Sequence, residues 1–210
     1  MHEKPYSDAC EQNRAPILAV IRPLFSQSSR LLEVGSGTGQ HAVYFAPDMR
    51  HLVWQTSDRL ENHAGILRWM EDEGADNVHP PLVLDVLTDE WPQPGFDAVF
   101  SANTAHIMGD EAVEAMFRGV ARVFEAGGLY ALYGPFNYRG GYTSDSNRRF
   151  DQWLKQRDPQ SGIKDFEVLN HLASELGLAL EADHEMPVNN RILVWRKSAD
   201  QADLSPSTIS

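Results

Sequence analysis

The fold is decided by the stretch Leu31-Leu32-Glu33-Val34-Gly35-Ser36-Gly37-Thr38-Gly39-Gln40-His41. Its apolar run ends in three glycines at every second position, and residues 42–46 continue with apolar residues at helical spacing. This order is typical of a strand, a tight turn and a helix. Glycine suits such a turn because a Cβ atom blocks positive φ angles and the close approach of a ligand to the backbone. The turn is therefore the first candidate binding site.

The spacing of the glycines distinguishes between two kinds of ligand. A dinucleotide turn has the pattern G-x-G-x-x-G/A and places a pyrophosphate at the N terminus of the following helix. Counted from Gly35, the last small residue falls on Gln40, and the third glycine comes one residue earlier, at Gly39. Counted from Gly37, the pattern fits only through Ala42 and leaves Gly35 unexplained. The spacing therefore disfavours an NAD-dependent oxidoreductase.

The pattern Glu33-x-Gly35-x-Gly37-x-Gly39 instead resembles the first motif of class I S-adenosylmethionine-dependent methyltransferases. In that superfamily the acidic residue lies near the methionine end of the cofactor, and the glycines pack under it. The resemblance implies that this turn, with Ser36, binds S-adenosylmethionine. A glycine-rich turn without any ligand is the alternative.

Composition narrows the class of protein. The chain has 210 residues, with 18 Lys and Arg against 30 Asp and Glu, and a formal net charge of −12. So acidic a surface repels phosphate backbones and argues against a general nucleic-acid binder. A single cysteine, Cys10, closes no internal disulfide, and no apolar run is long enough for a signal peptide or a membrane span. We expect a cytoplasmic protein without membrane attachment.

The chain is predicted to form one domain over residues 16–197. A polar segment, residues 1–15, precedes it as a candidate lid, and residues 198–210 are predicted to be a disordered tail. Pro16 is predicted to be the first residue of a helix. Arg14, just before it, is either a cofactor contact or an exposed charge at the helix start.

Acidic residues end two of the predicted strands. Asp58 follows the strand over residues 52–57 and lies 23 positions after Gly35, close to the ~20 at which an acid meets ribose hydroxyls in a βαβ unit. Its alternative is to cap the next helix. Asp85 and Val86 end the strand over residues 82–86, and the resemblance implies that they meet the adenine amine and ring. A solvated strand-end aspartate is the alternative there.

The order of elements predicts the architecture. Strands over residues 96–102 and 129–135 alternate with helices, and strands over residues 178–185 and 191–196 close the chain. This order calls for an α/β, doubly wound, Rossmann-like class I methyltransferase fold with a seven-stranded, mostly parallel sheet and an antiparallel last strand. Ligands of such sheets bind beyond the carboxyl ends of the strands.

Several segments resemble a narrower group, the uncharacterised methyltransferase-like protein 26 family, over about residues 8–197. They are Ala9-Cys10-Glu11-Gln12-Asn13-Arg14-Ala15-Pro16-Ile17-Leu18, Gly134-Pro135-Phe136-Asn137-Tyr138, Arg157-Asp158-Pro159, Gly162-Ile163-Lys164-Asp165 and Met186-Pro187-Val188-Asn189-Asn190. The resemblance implies the same fold and cofactor but no settled substrate. Lys164 stands where we expect arginine.

Candidate catalytic residues follow the fourth and fifth strands. His106 is the candidate general base because a near-neutral imidazole can accept a proton, although it could equally cap the following helix. Asn103 and Tyr138 are candidates for orienting the acceptor, and Asn103 also for a cofactor contact; a role in turn formation is the alternative. Ser101-Ala102-Asn103-Thr104 stands where amine-directed nucleic-acid methyltransferases carry Asn/Asp-Pro-Pro-Tyr/Phe, which weighs against methylation of bases.

The functional hypothesis is an S-adenosylmethionine-dependent methyltransferase that acts on a small polar molecule. The alternative is a non-catalytic regulatory module that binds S-adenosylmethionine or S-adenosylhomocysteine. No histidine pattern indicates a metal, and the oligomeric state stays open.

Overall fold

The computed structural model describes residues 4–74 and 76–198. The α-helices in these ranges are α1 (Asp8–Leu24), α2 (Gln40–Phe45), α3 (His63–Glu73), α4 (Asp110–Val123), α5 (Asp145–Arg157) and α6 (Phe166–Glu175). The strands of the main sheet are β1 (Arg30–Val34), β2 (Val53–Asp58), β3 (Val78–Val83), β4 (Phe96–Ala102), β5 (Phe124–Gly134), β6 (Leu178–Met186) and β7 (Asn190–Lys197).

The sheet has seven strands in the order β3-β2-β1-β4-β5-β7-β6. Strands β1 to β5 pair in parallel, whereas β7 lies antiparallel between β5 and β6. The predicted α/β, Rossmann-like fold is thereby confirmed. Strand order reverses between β1 and β4, so the carboxyl ends of these two strands mark the place where such sheets bind ligands.

Two apolar clusters cover the two faces of the sheet. Val99 of β4 belongs to the cluster under α4 and α6, and Phe100, the next residue, belongs to the cluster under α1 and α2. Neighbouring side chains of a strand point to opposite faces, and both of these are fully buried. The sheet therefore lies between two layers of helices. A ligand can reach it at the carboxyl ends of its parallel strands.

Helix α1 begins earlier than the sequence predicts. It starts at Asp8 rather than at Pro16, because Ser7 caps it by accepting a hydrogen bond from the Cys10 amide at 3.4 Å. Pro16 lies inside the helix, where it removes one hydrogen bond without ending the helix. Most of the predicted polar segment is therefore helical.

Two strands also differ from their predicted positions. β3 spans Val78–Val83 rather than residues 82–86, and it tolerates Pro80 and Pro81 because it forms an edge of the sheet. β5 begins at Phe124 rather than at residue 129, and Gly127 and Gly128 lie within it.

A second, two-stranded sheet pairs Phe136–Asn137 with Lys164–Asp165. It joins the segment after β5 to the segment before α6. Within the described residues, none of the helices combines the length and the apolar character needed to cross a bilayer. The tail predicted over residues 198–210 lies outside the described residues except for Ser198, as do residues 1–3 of the predicted N-terminal segment.

Candidate functional site

A cavity of about 1260 Å³ lies at the carboxyl ends of the parallel strands. Pockets for single drug-sized ligands usually measure about 300–1000 Å³, so this cavity has room for a cofactor and a second molecule. The residues predicted for the site that line it are Gly35, Ser36, Gly37, Asp58, Asp85, Val86, Asn103 and His106. Glu33, Gly39, Arg14 and Tyr138 lie outside its lining.

At each glycine of the turn, a side chain would have a different effect. Gly35 has a φ of +74°, and a Cβ there would lie 2.5 Å from Cγ2 of Thr104. Gly39 has a φ of +90°, and a Cβ there would lie 2.9 Å from Cα of Ile66 in α3. Gly37 has a φ of +59°, but its Cβ would meet no atom within 4 Å. Only at Gly37 does the missing side chain leave open space in the cavity.

Four amide groups of the turn, those of Gly35, Ser36, Gly37 and Gly39, are bonded within the protein. Those of Gly35 and Ser36 both donate to the Ser57 carbonyl at 3.0 Å, and that of Gly39 donates to the Ser36 carbonyl at 2.9 Å. The Gly37 amide donates to Oδ2 of Asp58 at 2.6 Å. A pyrophosphate site needs such amides to be free. The turn is therefore poorly suited to a dinucleotide and better suited to a ligand without phosphate.

Asp58 orders the chain after β2 and lines the cavity, but its side chain does not cap the next helix. Its Oδ1 accepts hydrogen bonds from the Arg59 amide at 2.7 Å and from Nδ2 of Asn62 at 2.8 Å, which orders the chain after β2. Its Oδ2 accepts from Gly37, and the residue also lines the cavity. A carboxylate offers about four acceptor positions. Three are occupied, so one is left for a ligand hydroxyl.

Glu33 supports the turn from inside the protein. Its Oε2 accepts hydrogen bonds from Oγ of Ser36 at 2.9 Å and from Nε1 of Trp54 at 3.0 Å. Burial raises the pKa of the Glu33 carboxyl to about 7, although both hydrogen bonds act to lower it. Glu33 is only 2% exposed. It positions Ser36, and its own carboxyl group does not reach the cavity.

Asp85 and Val86 line the cavity just after β3. Oδ1 of Asp85 accepts from the Leu87 amide at 3.0 Å, and the Asp85 amide donates to Oδ2 of Asp89 at 2.6 Å. These bonds form a turn that fixes Asp85 at the cavity edge. This position is compatible with the predicted ligand contact, which stays a prediction, and Asp85 lies after the end of β3 rather than in it.

Arg14 and Tyr138 are engaged elsewhere. Arg14 pairs with Glu11, and its guanidinium carbon lies 4.3 Å from the centre of the Tyr44 ring. The hydroxyl of Tyr138 donates to Oδ2 of Asp183 at 2.8 Å. Glu11 lies on the same helix as Arg14, whereas Tyr44 and Asp183 come from other elements of the fold, so the sequence could not show those two contacts.

His106 lies in the loop after β4 and is 7% exposed. Burial, helped by the positive charge of Lys164, lowers the pKa of the His106 imidazole to about 4. The ring is therefore neutral at pH 7, and the same burial makes it a weaker base than a solvated histidine. Asn103, in the same loop, has a φ of +60°. Its backbone N–H donates a hydrogen bond to the Tyr133 carbonyl at 2.9 Å. Asn103 is thus a turn former that also lines the cavity.

One wall of the cavity includes residues of the N-terminal segment predicted as a candidate lid, although the sequence did not assign these particular residues to the site. Cys10 and Asn13 of α1 line the cavity, together with His41 of α2. Nε2 of His41 lies 2.7 Å from Oδ1 of Asn13, and burial lowers the pKa of His41 to about 4. The position of His41 directly after the glycine turn was the one available signal. The contact between Asn13 and His41 is a tertiary contact, and no local sequence pattern predicts it.

Gln40, which breaks the dinucleotide pattern, anchors the N terminus. Its Oε1 accepts a hydrogen bond from the Ser7 amide at 2.6 Å. Nearby, Nε1 of Trp69 donates to the Pro5 carbonyl at 2.7 Å, and a Cβ at Gly65 would lie 2.6 Å from Cγ of Pro5. The segment before α1 is therefore held against α2 and α3.

In the part of the chain that the structure describes, no three His, Cys, Asp or Glu side chains are grouped so that they could hold a metal ion. The expectation of a protein without a metal stays a prediction.

Comparison with known proteins supports this description of the fold. The model of a family described as Protein of unknown function (DUF938) matches residues 4–197. An O-methyltransferase family protein from Burkholderia thailandensis is similar in structure, with a TM-score of 0.81 and 13% identity over 92% of this chain and 59% of that one. The S-adenosylmethionine-dependent methyltransferase SibL has a TM-score of 0.77 and 20% identity over 90% of this chain and 56% of its own.

Human N-acetylserotonin methyltransferase, solved in complex with S-adenosylmethionine, has a TM-score of 0.76 and 13% identity over 91% of this chain and 53% of that one. The chain thus spans little more than half the length of these structures. At such low identity the likeness establishes the fold alone, which this chain shares with these three methyltransferases.

Proposed function

The chain belongs to the family described as Protein of unknown function (DUF938), and from its fold and its cavity we propose that it is an S-adenosylmethionine-dependent methyltransferase of a small molecule. The observation that carries the proposal is the pairing of Gly37 with Asp58 at the cavity edge. It combines a backbone surface free of side-chain atoms with a carboxylate that retains an acceptor position. The likeness to S-adenosylmethionine-dependent methyltransferases supports the same conclusion.

The cavity residues fit S-adenosylmethionine by their chemistry. Gly35 and Gly37 would hold the methionine part, Asp58 the ribose hydroxyls, and Asp85 with Val86 the adenine. The internally bonded amides of the turn suit a ligand without phosphate. When bound, the cofactor supplies a methyl group on a positively charged sulfur.

The protein's own contribution is to orient the acceptor and to remove its proton. Because a sulfonium methyl is already activated, alignment is the main requirement, and alignment can supply roughly 7–11 kcal/mol. His106 is neutral at pH 7 and lines the cavity, so it can accept the proton of a hydroxyl acceptor at an imidazole nitrogen. Asn103 lines the same cavity. Tyr138 has no part in this proposal.

We also propose that the chain is related to the methyltransferase-like protein 26 family. This part of the proposal rests only on the sequence segments that resemble that family. The acidic net charge of −12 supports a small-molecule acceptor over nucleic acid.

The test combines calorimetry with turnover. We expect the protein to bind S-adenosylmethionine in titration calorimetry and to release S-adenosylhomocysteine when a metabolite extract is added. The His106→Ala variant should lose turnover while it keeps its affinity for the cofactor. Binding without turnover in every extract would instead identify a regulatory binding module. No heat at millimolar ligand would overturn the proposal as a whole.

A further inference from the structure

The part of the cavity beyond the glycine turn has an aromatic wall. Phe150 and Trp153 lie three residues apart on α5, and both line the cavity. Their rings are stacked, with centroids 5.8 Å apart and an angle of 17° between the planes. Trp153 is 48% exposed and Ile107, which also lines the cavity, is 57% exposed. Large apolar side chains grouped at an open cavity mark a ligand surface.

This wall reaches the candidate base. The ring of His106 lies 5.2 Å from that of Phe150, edge to face at 70°. The helix that carries the wall is fixed, because Asp151 accepts hydrogen bonds from the Ile163 amide at 2.8 Å and from the Tyr142 hydroxyl at 2.7 Å. A flat molecule packed on this wall would therefore present one edge to the imidazole.

The charge around the cavity is strongly one-sided. The carboxylates among its lining residues are Asp58, Asp85, Asp110, Glu111 and Asp158, whereas Arg59 is the single Lys or Arg among the described residues of the lining. Arg59 pairs with Glu61 at 3.0 Å. Lys164, near His106 but outside the lining, pairs with Asp110 at 2.9 Å. A carboxylate or phosphate that entered the cavity would meet repulsion rather than an unpaired cation.

A further cation touches the wall from outside the lining. The guanidinium carbon of Arg157 lies 4.6 Å from the centre of the Trp153 ring. Such a contact is typical of a cation–π interaction. It engages Arg157 with the ring and leaves the excess of negative charge inside the cavity unchanged.

We infer that the methyl acceptor is an aromatic compound without a negative charge, packed against Phe150 and Trp153 with its nucleophile directed at His106. This inference rests on the proposed function and narrows its substrate class. It also departs from the small polar acceptor that the sequence predicts, because the exposed wall is apolar. A ring buries apolar area on the wall, and the carboxylates favour a neutral or cationic molecule over an anionic one.

Matched acceptors test the inference. The compounds 4-hydroxybenzyl alcohol, tyramine and 4-hydroxyphenylacetate share a phenol ring and are neutral, cationic and anionic, while cyclohexanol lacks the aromatic ring. With protein saturated by S-adenosylhomocysteine, we expect the neutral and cationic phenols to bind at least about tenfold more tightly than the anion or cyclohexanol. Equal or tighter binding of either of the latter, or no binding of any phenol, would overturn the inference.

Variants on the wall provide the second arm. Trp153→Ala should weaken phenol binding about tenfold or more, while the affinity for S-adenosylmethionine stays unchanged. Gln152→Ala is the matched control, because Gln152 is an exposed neighbour on α5 outside the lining. Equal effects of the two variants would contradict the role of the wall.

A charge reversal provides the third arm. Glu111→Lys should improve binding of the anionic phenol severalfold. Glu114→Lys makes the same charge change on α4 but outside the lining, and it should leave that binding unchanged. If S-adenosylmethionine itself fails to bind the wild-type protein, the proposed function fails. If it binds and an anionic or aliphatic acceptor is preferred, only the present inference fails.

Discussion

The Gly37 amide and Oδ2 of Asp58 are joined by a hydrogen bond of 2.6 Å, although the two residues are 21 positions apart in the chain. The bond ties the turn after β1 to the end of β2. The residue that offers bare backbone to the cavity and the residue that offers a carboxylate therefore hold each other in place. Substitution of either is expected to disturb both.

Asp58→Ala should weaken binding of S-adenosylmethionine by about 1–3 kcal/mol, the scale of a lost hydrogen bond to a charged group. Titration calorimetry measures this difference directly. Asp48→Ala is the control, because Asp48 is an exposed acid outside the cavity lining and its loss changes the net charge equally. Unchanged affinity in Asp58→Ala would remove Asp58 from the cofactor site.

Gly37→Ala should impair cofactor binding more than folding. The new Cβ enters open space in the cavity, and the positive φ of +59° costs some stability, about 1–2 kcal/mol. Gly127→Ala is a matched control, since Gly127 has a φ of +85° with no atom within 4 Å of its Cβ and lies outside the cavity lining. Urea unfolding should show similar losses for both variants. A loss of cofactor affinity in both would contradict the assignment of Gly37.

Glu33 should make the free energy of unfolding depend on pH in an unusual direction. Its pKa is about 7 in the folded protein, against 4.5 for an ordinary glutamate. The unfolded chain therefore loses this proton first, and the contribution of Glu33 to stability falls as the pH rises from about 4.5 to 7. Between pH 5 and pH 8 the loss is roughly 2–3 kcal/mol.

Urea unfolding of wild type and Glu33→Gln at these two pH values measures the effect. The free energy of unfolding of Glu33→Gln should rise relative to that of the wild type as the pH rises. The pKa values of His41 and His106 are lowered to about 4. Their contribution to the free energy of unfolding therefore changes in the opposite direction to that of Glu33, because it is lost as the pH falls below about 6.5. Both proteins contain them, so they cancel in the comparison. A difference between the proteins that does not change with pH would rule out a raised pKa at Glu33.

His106 should set the acid limb of the pH profile of kcat/KM. A general base acts in its neutral form, and with a pKa of about 4 the imidazole becomes protonated only as the pH falls through 4. The rate should therefore be flat from about pH 5.5 to 8, whereas an ordinary histidine would give a midpoint near 6.5. His106→Gln should lower kcat and abolish this limb. An acid limb that persists in the variant would assign it to another group.

Local sequence patterns predicted the glycine turn, the strand before it and the helix after it. Gly37 and Asp58 could be predicted as neighbours because a turn that needs a positive φ and a strand that ends in an acid are both local signals. His106 and Asn103 were found because they follow a strand that is buried on both faces. These residues come together since parallel strands share one carboxyl edge.

Tertiary contacts explain what the sequence could not predict. Tyr138 was expected at the site, but its partner Asp183 lies 45 residues away. β3 was misplaced because prolines are tolerated only on a sheet edge, and strand order is not a local property. Phe150 and Trp153 were not assigned a role, since an aromatic pair on a helix is more often core until the fold shows that it is exposed.

Helix α1 gives the cavity a link to the outside of the protein. The helix packs into the core through Ile17 and Ile21, its N-terminal end is fastened through Ser7 to Gln40, and Cys10 and Asn13 face the cavity. A ligand that contacted Cys10 and Asn13 only while the first turn is docked would stabilise that docking, and undocking of Ser7 would weaken the ligand by the same factor.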